Sequence, residues 1–259
     1  MLTLKSFAGL LKKEWVLYRA RLLVGVFIGI VLSLVVPYFL RQFVDGFSQD
    51  SQLSYTILVL ILGGFYSVLQ FLSSMRADLK VKEIWLHSTS AMTTLIGAKM
   101  VSSIIGYTLF NLLFTSIAVY SIKDEYIANF GQIIFLVILI IGIIAILQLV
   151  LYIMLVLFLA FYLQMKHFIG GFSIVLTMAA FFLTTNQWLR FTTSQLYQDI
   201  FQHIGIPLSK MEPYLPKFIS PTTELKLGSI YVVEQVGFML LMTLLYIVAA
   251  KWLEKVVLR

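Results

Sequence analysis

Cysteine is absent from the 259-residue sequence. That removes disulfides, thiolate metal ligands and a cysteine nucleophile together, and leaves the redox compartment open. Histidine is scarce, and His87, His167 and His203 lie far apart, so no metal-ligand set is expected. Charged residues make up 12% of the chain and hydrophobic ones 60%, against about 25% and about 45–50% in soluble domains. There is no G-x-x-x-x-G-K-[ST] loop to cradle a phosphate; LIGAK at 95–99 has one glycine and no hydroxyl after its lysine. H-E-x-x-H, G-x-S-x-G and carboxylate pairs within the apolar runs are also missing. These absences leave no catalytic candidate and no cofactor expected on this chain itself. An internal 3+3 repeat, expected of many ion-coupled carriers, is not visible.

What remains is apolar sequence in long runs. A helix crossing a ~30 Å hydrocarbon layer needs about 20 residues, and six stretches qualify: 22–40, 55–75, 100–122, 133–165, 168–189 and 230–250. With backbone groups forced to bond internally in lipid, all six are expected to be helices, giving an all-α membrane protein. The fourth would be about 50 Å long if straight, so it is expected to tilt, kink near Gly142, or project from the bilayer. The run 22–40 follows a basic N-terminus without a small-residue cleavage site, so it reads as a retained span.

Charge gives the sidedness. With the N-terminus cytoplasmic, 13 of the 19 basic residues fall inside, and the inner and outer connections carry net +9 and −2. The positive-inside rule then places both termini in the cytoplasm. The overall charge of +7 is mostly this orientation signal, and no nucleic-acid partner is expected.

Four polar features remain. Over 3–20, Leu4, Phe7, Leu11, Trp15 and Tyr18 line one side of a helix, with Lys5, Lys12 and Lys13 opposite, the pattern of a helix lying in the membrane interface. Glu14 interrupts the apolar stripe; it meets a basic group such as Arg19 or Arg76, faces a neighbouring helix end, or reaches among lipid headgroups. Over 78–90, the charges of Asp78, Lys80, Lys82 and Glu83 keep the chain in water. On a helix, Val81, Ile84, Trp85 and Ser88 share one face, and Lys80, Glu83 and His87 another. Such a helix can seat in a groove on another protein; the alternative is a solvated loop with Trp85 resting on the lipid interface. The outer connection 190–229, with Pro207, Pro213, Pro216 and Pro221, is expected to hold short amphipathic helices. Inside the spans stand Gln70, Asn111, Gln148, Glu234 and Gln235, which are expected to line a pathway or face other helices. Glu234, only about 7 Å from its span end, suits an interfacial position as well as a transport role. Gly63-Gly64 and Gly170-Gly171 are expected to permit close helix approach or a bend.

A family resemblance rests on these residues. The stretch EIWLHSTS at 83–90, with Glu83, Trp85, Leu86, His87, Ser88 and Ser90, followed by Lys99, resembles the coupling-helix region of type-two (ABC-2) exporter permeases. LLKKEWVLYRAR, with Lys12, Lys13, Glu14, Trp15 and Arg19, resembles their elbow helix, and PYLPKFISPTTEL the proline-containing stretch before their last span. Thr89 stands where many members carry proline. The resemblance implies a multi-pass subunit of a bacterial plasma membrane, paired with a second copy or a sister permease. Separate ATPase subunits would hold ATP and magnesium and act through Lys80–Ser88, and the substrate would be a hydrophobic or amphipathic peptide, drug or envelope compound. An ion-coupled secondary transporter, or a non-transporting peptide-resistance or sensory membrane protein, remains the alternative.

Overall fold

The computed structural model describes residues 4–43, 49–80, 92–121, 130–202, 204–207 and 229–257. The expected helix face of Val81, Glu83, Ile84, Trp85, His87 and Ser88 lies outside them, as do Pro213, Pro216 and Pro221. The described elements are α1 (Leu4–Ile30), a π-helical turn (Val31–Val35), α2 (Val36–Phe43), α3 (Gln49–Lys80), α4 (Met92–Ser121), α5 (Phe130–Ile169), a 3₁₀ turn (Gly170–Phe172), α6 (Ser173–Thr192), α7 (Gln195–Phe201), β1 (Gly205–Pro207), β2 (Ser229–Tyr231) and α8 (Val232–Val257). Five segments are long and apolar enough to cross a membrane: 7–43, 52–79, 92–121, 130–192 and 232–257. The protein is therefore an all-α, multi-pass membrane-type chain. Its contacts divide it into two units, and among the described residues the first ends at Leu149 and the second begins at Val150.

Two expectations about the first unit change. The interfacial helix over 3–20 is not set off from the first span, because α1 is one unbroken helix from Leu4 to Ile30. No proline or glycine pair stands at 20–22 to stop it. The irregularity comes later, ahead of the buried Pro37. A proline in a helix cannot donate to the carbonyl four residues back, here Ser33, and its ring presses against that group. The backbone widens to a π turn, with the Val36 N–H donating to the Val31 carbonyl. The fourth apolar run is longer than expected, since α5 is continuous through Gly142 for 40 residues, about 60 Å along its axis.

In the first unit α4 packs against both α1 and α3. Aromatic side chains of α4 sit in glycine notches. Phe110 fills the space over Gly63 so closely that a Cβ there would collide with its ring, as would one at Gly29 of α1 with Phe114, and a Cβ at Gly64 would meet the Tyr107 hydroxyl. In return, Tyr18 of α1 fills the notch at Gly106 of α4. As the α4 number rises, its partner's number rises on α1 and falls on α3, so α4 runs parallel to α1 and antiparallel to α3. Between lipid-embedded helices the hydrophobic effect offers no drive to associate, and small residues that admit close contact supply it. The expectation for Gly63-Gly64 is thus met.

In the second unit Gly170 takes φ = +58°, a conformation open to glycine and strained for other residues. The chain reverses there. Phe158 and Phe181 would lie about 35 Å apart along a straight helix, yet their ring centroids are 5.2 Å apart. Segment 130–192 is thus two helices folded at Gly170–Phe172. Among the described residues the connection to α8 holds one short helix, α7, and an antiparallel ladder, β1–β2, that was not expected. The ladder pairs Gly205 with Tyr231 and Pro207 with Ser229. It ties together the ends of the 208–228 connection.

Candidate functional site

The charged groups that converge in the first unit come from three helices. On α4, Lys99, Ser102, Ser103 and Gly106 follow i, i+3, i+4, i+7 spacing and share one face; on α3, Ser67, Gln70, Ser74 and Asp78, at i, i+3, i+7 and i+11, share one face too. The Tyr18–Gly106 contact draws α1 onto α4, and Glu14, one turn before Tyr18, arrives beside Lys99.

Lys99 is the hub, only 3% exposed. Its ammonium donates to Glu14 Oε1 at 2.9 Å and to Ser74 Oγ at 2.6 Å, and lies 3.0 Å from Asp78 Oδ2. Ser74 Oγ donates onward to Glu14 Oε2 at 3.3 Å. Each helix therefore contributes at least one charged member. A buried charge is tolerated when it is paired and hydrogen-bonded, and removing one partner strands the others.

The expected partners of Glu14 are corrected. Arg19 is five residues along α1, about 140° around the helix, and exposed; Arg76 is exposed on the side of α3 away from Ser74 and Asp78. Lys99, which in the sequence reads as a charge flanking a span and as the lysine after the 83–90 motif, takes their place. Lys12 and Lys13 are exposed, and Trp15 is half-buried with its ring stacked 6.4 Å from that of Tyr18. Lys80 ends α3, two residues after Asp78. The cluster therefore lies where α3 ends and α4 begins, at the base of the 81–91 segment.

The other polar candidates separate. Gln70 is buried one turn from Ser74, beside the cluster. Gln148 of α5 donates to Ser67 at 2.7 Å. Asn111 is buried near Tyr107 within the first unit. Glu234 and Gln235 belong to the second unit. Gln235 is exposed, whereas Glu234 Oε1 accepts a 2.9 Å hydrogen bond from the Tyr197 hydroxyl, holding α7 against α8. Burial, with the Glu234 hydrogen bond and charge adding to it, pushes the Tyr197 phenol up to about 12. Glu234 thus has a structural partner at the end of its helix. At the opposite end of α8 the Trp252 indole donates to Gln164 Oε1 and packs edge-on against Phe161.

The first unit also carries an apolar groove of about 250 Å³, walled by Gly25, Gly29, Gly63, Tyr66 and Phe110 among others. Two of its glycines, Gly29 and Gly63, are notches of the helix packing, so the groove follows from that packing.

The arrangement can bind charge to charge across three helices. Comparison with protein-family models, with curated proteins and with solved structures gives no significant match.

Proposed function

We propose that this chain is the membrane-spanning permease subunit of an ATP-driven exporter of the ABC-2 type, and that a separate ATPase docks on its 81–91 segment. The observation that carries the reading is the Lys99 cluster at the base of that segment. Asp78 lies three residues before it and Lys99 eight after it, and their ion pair fastens the two ends together while Glu14 ties both to α1. A push on the segment would reach three helices at once. In this reading the two helices of 130–192, folded at Gly170, each cross the membrane and make six passes of the five apolar segments. Six passes put both termini on one side, in agreement with the basic-residue count, so 81–91 faces the cytoplasm.

In this reading the chain binds no nucleotide; ATP and magnesium sit on the partner, and a second copy or a sister permease completes the pathway. The cargo is hydrophobic or amphipathic by resemblance alone.

Affinity purification from mild detergent tests the proposal. The chain is expected to bring down a soluble ATPase, and Glu83→Lys and Trp85→Ala are expected to weaken that recovery while leaving the size-exclusion profile unchanged. Equal recovery by all three overturns the assignment of the contact, and no ATPase in any of them overturns the exporter reading. Sidedness is tested separately in the cysteine-free chain: Gln49→Cys should react with an impermeant thiol reagent on intact cells, and Lys80→Cys should not.

A further inference from the structure

The Lys99 cluster is closed on itself, but one neighbour is left unserved. An ammonium has three protons, and Lys99 directs them to Glu14, Ser74 and Asp78. Glu14 receives the Ser74 hydroxyl on its second oxygen. Gln70, one turn further along α3, is 6% exposed, and neither its amide nitrogen nor its oxygen has a hydrogen-bond partner among the described residues. Protein interiors rarely leave such groups bare; they pair them with protein or with ordered water.

Gln70 borders a hole of about 30 Å³ whose wall includes Tyr18, Ser102, Ser103 and Lys99. A water needs roughly 10–15 Å³ of such space and about two to four polar partners. The hole offers both, since amide and hydroxyl groups can donate or accept as required. It is too small for an organic ligand. Beyond it, the Tyr18 phenol is hydrogen-bonded to Ser67, whose hydroxyl accepts from Gln148.

We infer that the hole is a buried water site, in which Gln70, Ser102 and Ser103 hold water that joins the Glu14–Lys99–Asp78 cluster to the Tyr18–Ser67–Gln148 chain. The joined chain follows α3 from Asp78 to Ser67, about 16 Å at helical rise, or half of a ~30 Å hydrocarbon layer. It gives the cluster at the helix ends an exchangeable link to the middle of the bundle. The inference stands apart from the exporter reading, because it needs only the packing of α1, α3 and α4 and the Gln148–Ser67 bond from α5.

The test is magnetisation transfer from water protons to side-chain amides, measured on the full chain labelled with ¹⁵N-glutamine and ¹⁵N-leucine in phosphatidylcholine/phosphatidylglycerol nanodiscs. The Gln70 NH₂ signal is assigned by its loss in Gln70→Leu, or in Gln70→Glu where the leucine variant does not fold. A cross-peak from water to this NH₂, with none at the backbone amide of Leu109 on the exposed side of α4, is the expected result. Absence of the Gln70 cross-peak overturns the inference. So does a Gln70 signal that moves when potassium is replaced by sodium, since that would mark a cation in the hole.

Discussion

In the bundle of α1, α3 and α4, half of the most apolar eighteen-residue stretch of α4 is buried; in α8, and in the α5–α6 hairpin, the share is 11%. The buried helix is also the more polar one, with Lys99, Ser102, Ser103, Asn111 and Thr115 all enclosed. The α5–α6 segment is the most apolar of the five and leaves Leu147, Phe172, Phe182 and Leu183 more than 60% exposed. In water the order would be reversed. In lipid an exposed leucine costs nothing, whereas a polar or notched surface finds its partners only on another helix. Polarity is thus the mark of the inner helix here. The two regions are also held by different means. The first relies on glycine notches and a charged hub; the second relies on aromatic contacts and single hydrogen bonds at the helix ends.

This contrast can be broken at graded points, each read as the unfolding temperature of purified protein and the yield of monodisperse material. Lys99→Leu should have the largest effect. It strands Glu14 and Asp78, and losing one partner of a buried ion cluster costs about 3–5 kcal/mol, whereas Lys251→Leu, exposed on α8, should move stability by under about 0.5 kcal/mol. Equal effects would erase the distinction between the regions. Next come the notches. Gly106→Ala or Gly63→Ala overpacks the bundle, at about 1–3 kcal/mol, and Phe110→Leu should recover part of the Gly63→Ala loss. Gly171→Ala, which has open space around it, should be close to neutral.

The second region should answer more weakly. Trp252→Phe keeps the ring packing but removes the bond to Gln164, a loss of about 0.5–1.5 kcal/mol. Tyr197→Phe removes the bond to Glu234 and should cost less, because that contact lies at a helix end. Its pH dependence is diagnostic. The folded phenol titrates near 12, above the ordinary value of about 10. Its contribution is therefore complete below pH 10 and lost as pH rises from 10 to 12. The difference between wild type and Tyr197→Phe should shrink over that window and nowhere below it.

Much of the fold was legible because lipid imposes one rule on every span: a run of about 20 apolar residues must be a helix. The turn at Gly170 was half visible, since a glycine pair permits a reversal without announcing one. The β1–β2 ladder was not visible, as three residues on each side carry no period. The charged hub was missed for a physical reason. Counting basic residues by side treats Lys99 as one cation near an interface, while its role depends on how three helices are rotated about their axes. The signal lay in spacing. Lys99, Ser102, Ser103 and Gly106 make one polar face, and Asp78, Ser74, Gln70 and Ser67 make another, and two such faces in adjacent spans have reason to meet. Glu14 was recognised as out of place on an apolar stripe; its partner was sought on the wrong faces.

The glycine notches bear on how the bundle can move. Tyr18, Tyr107, Phe110 and Phe114 are seated in four separate notches along α1, α3 and α4, as keys are seated in a row of keyways. To slide one helix by a turn, about 5.4 Å, every ring must leave its seat together, with no intermediate position offering a new one. Graded sliding is therefore closed to these three helices. The row of seats fixes the register of α1, α3 and α4 along their axes as well as their spacing.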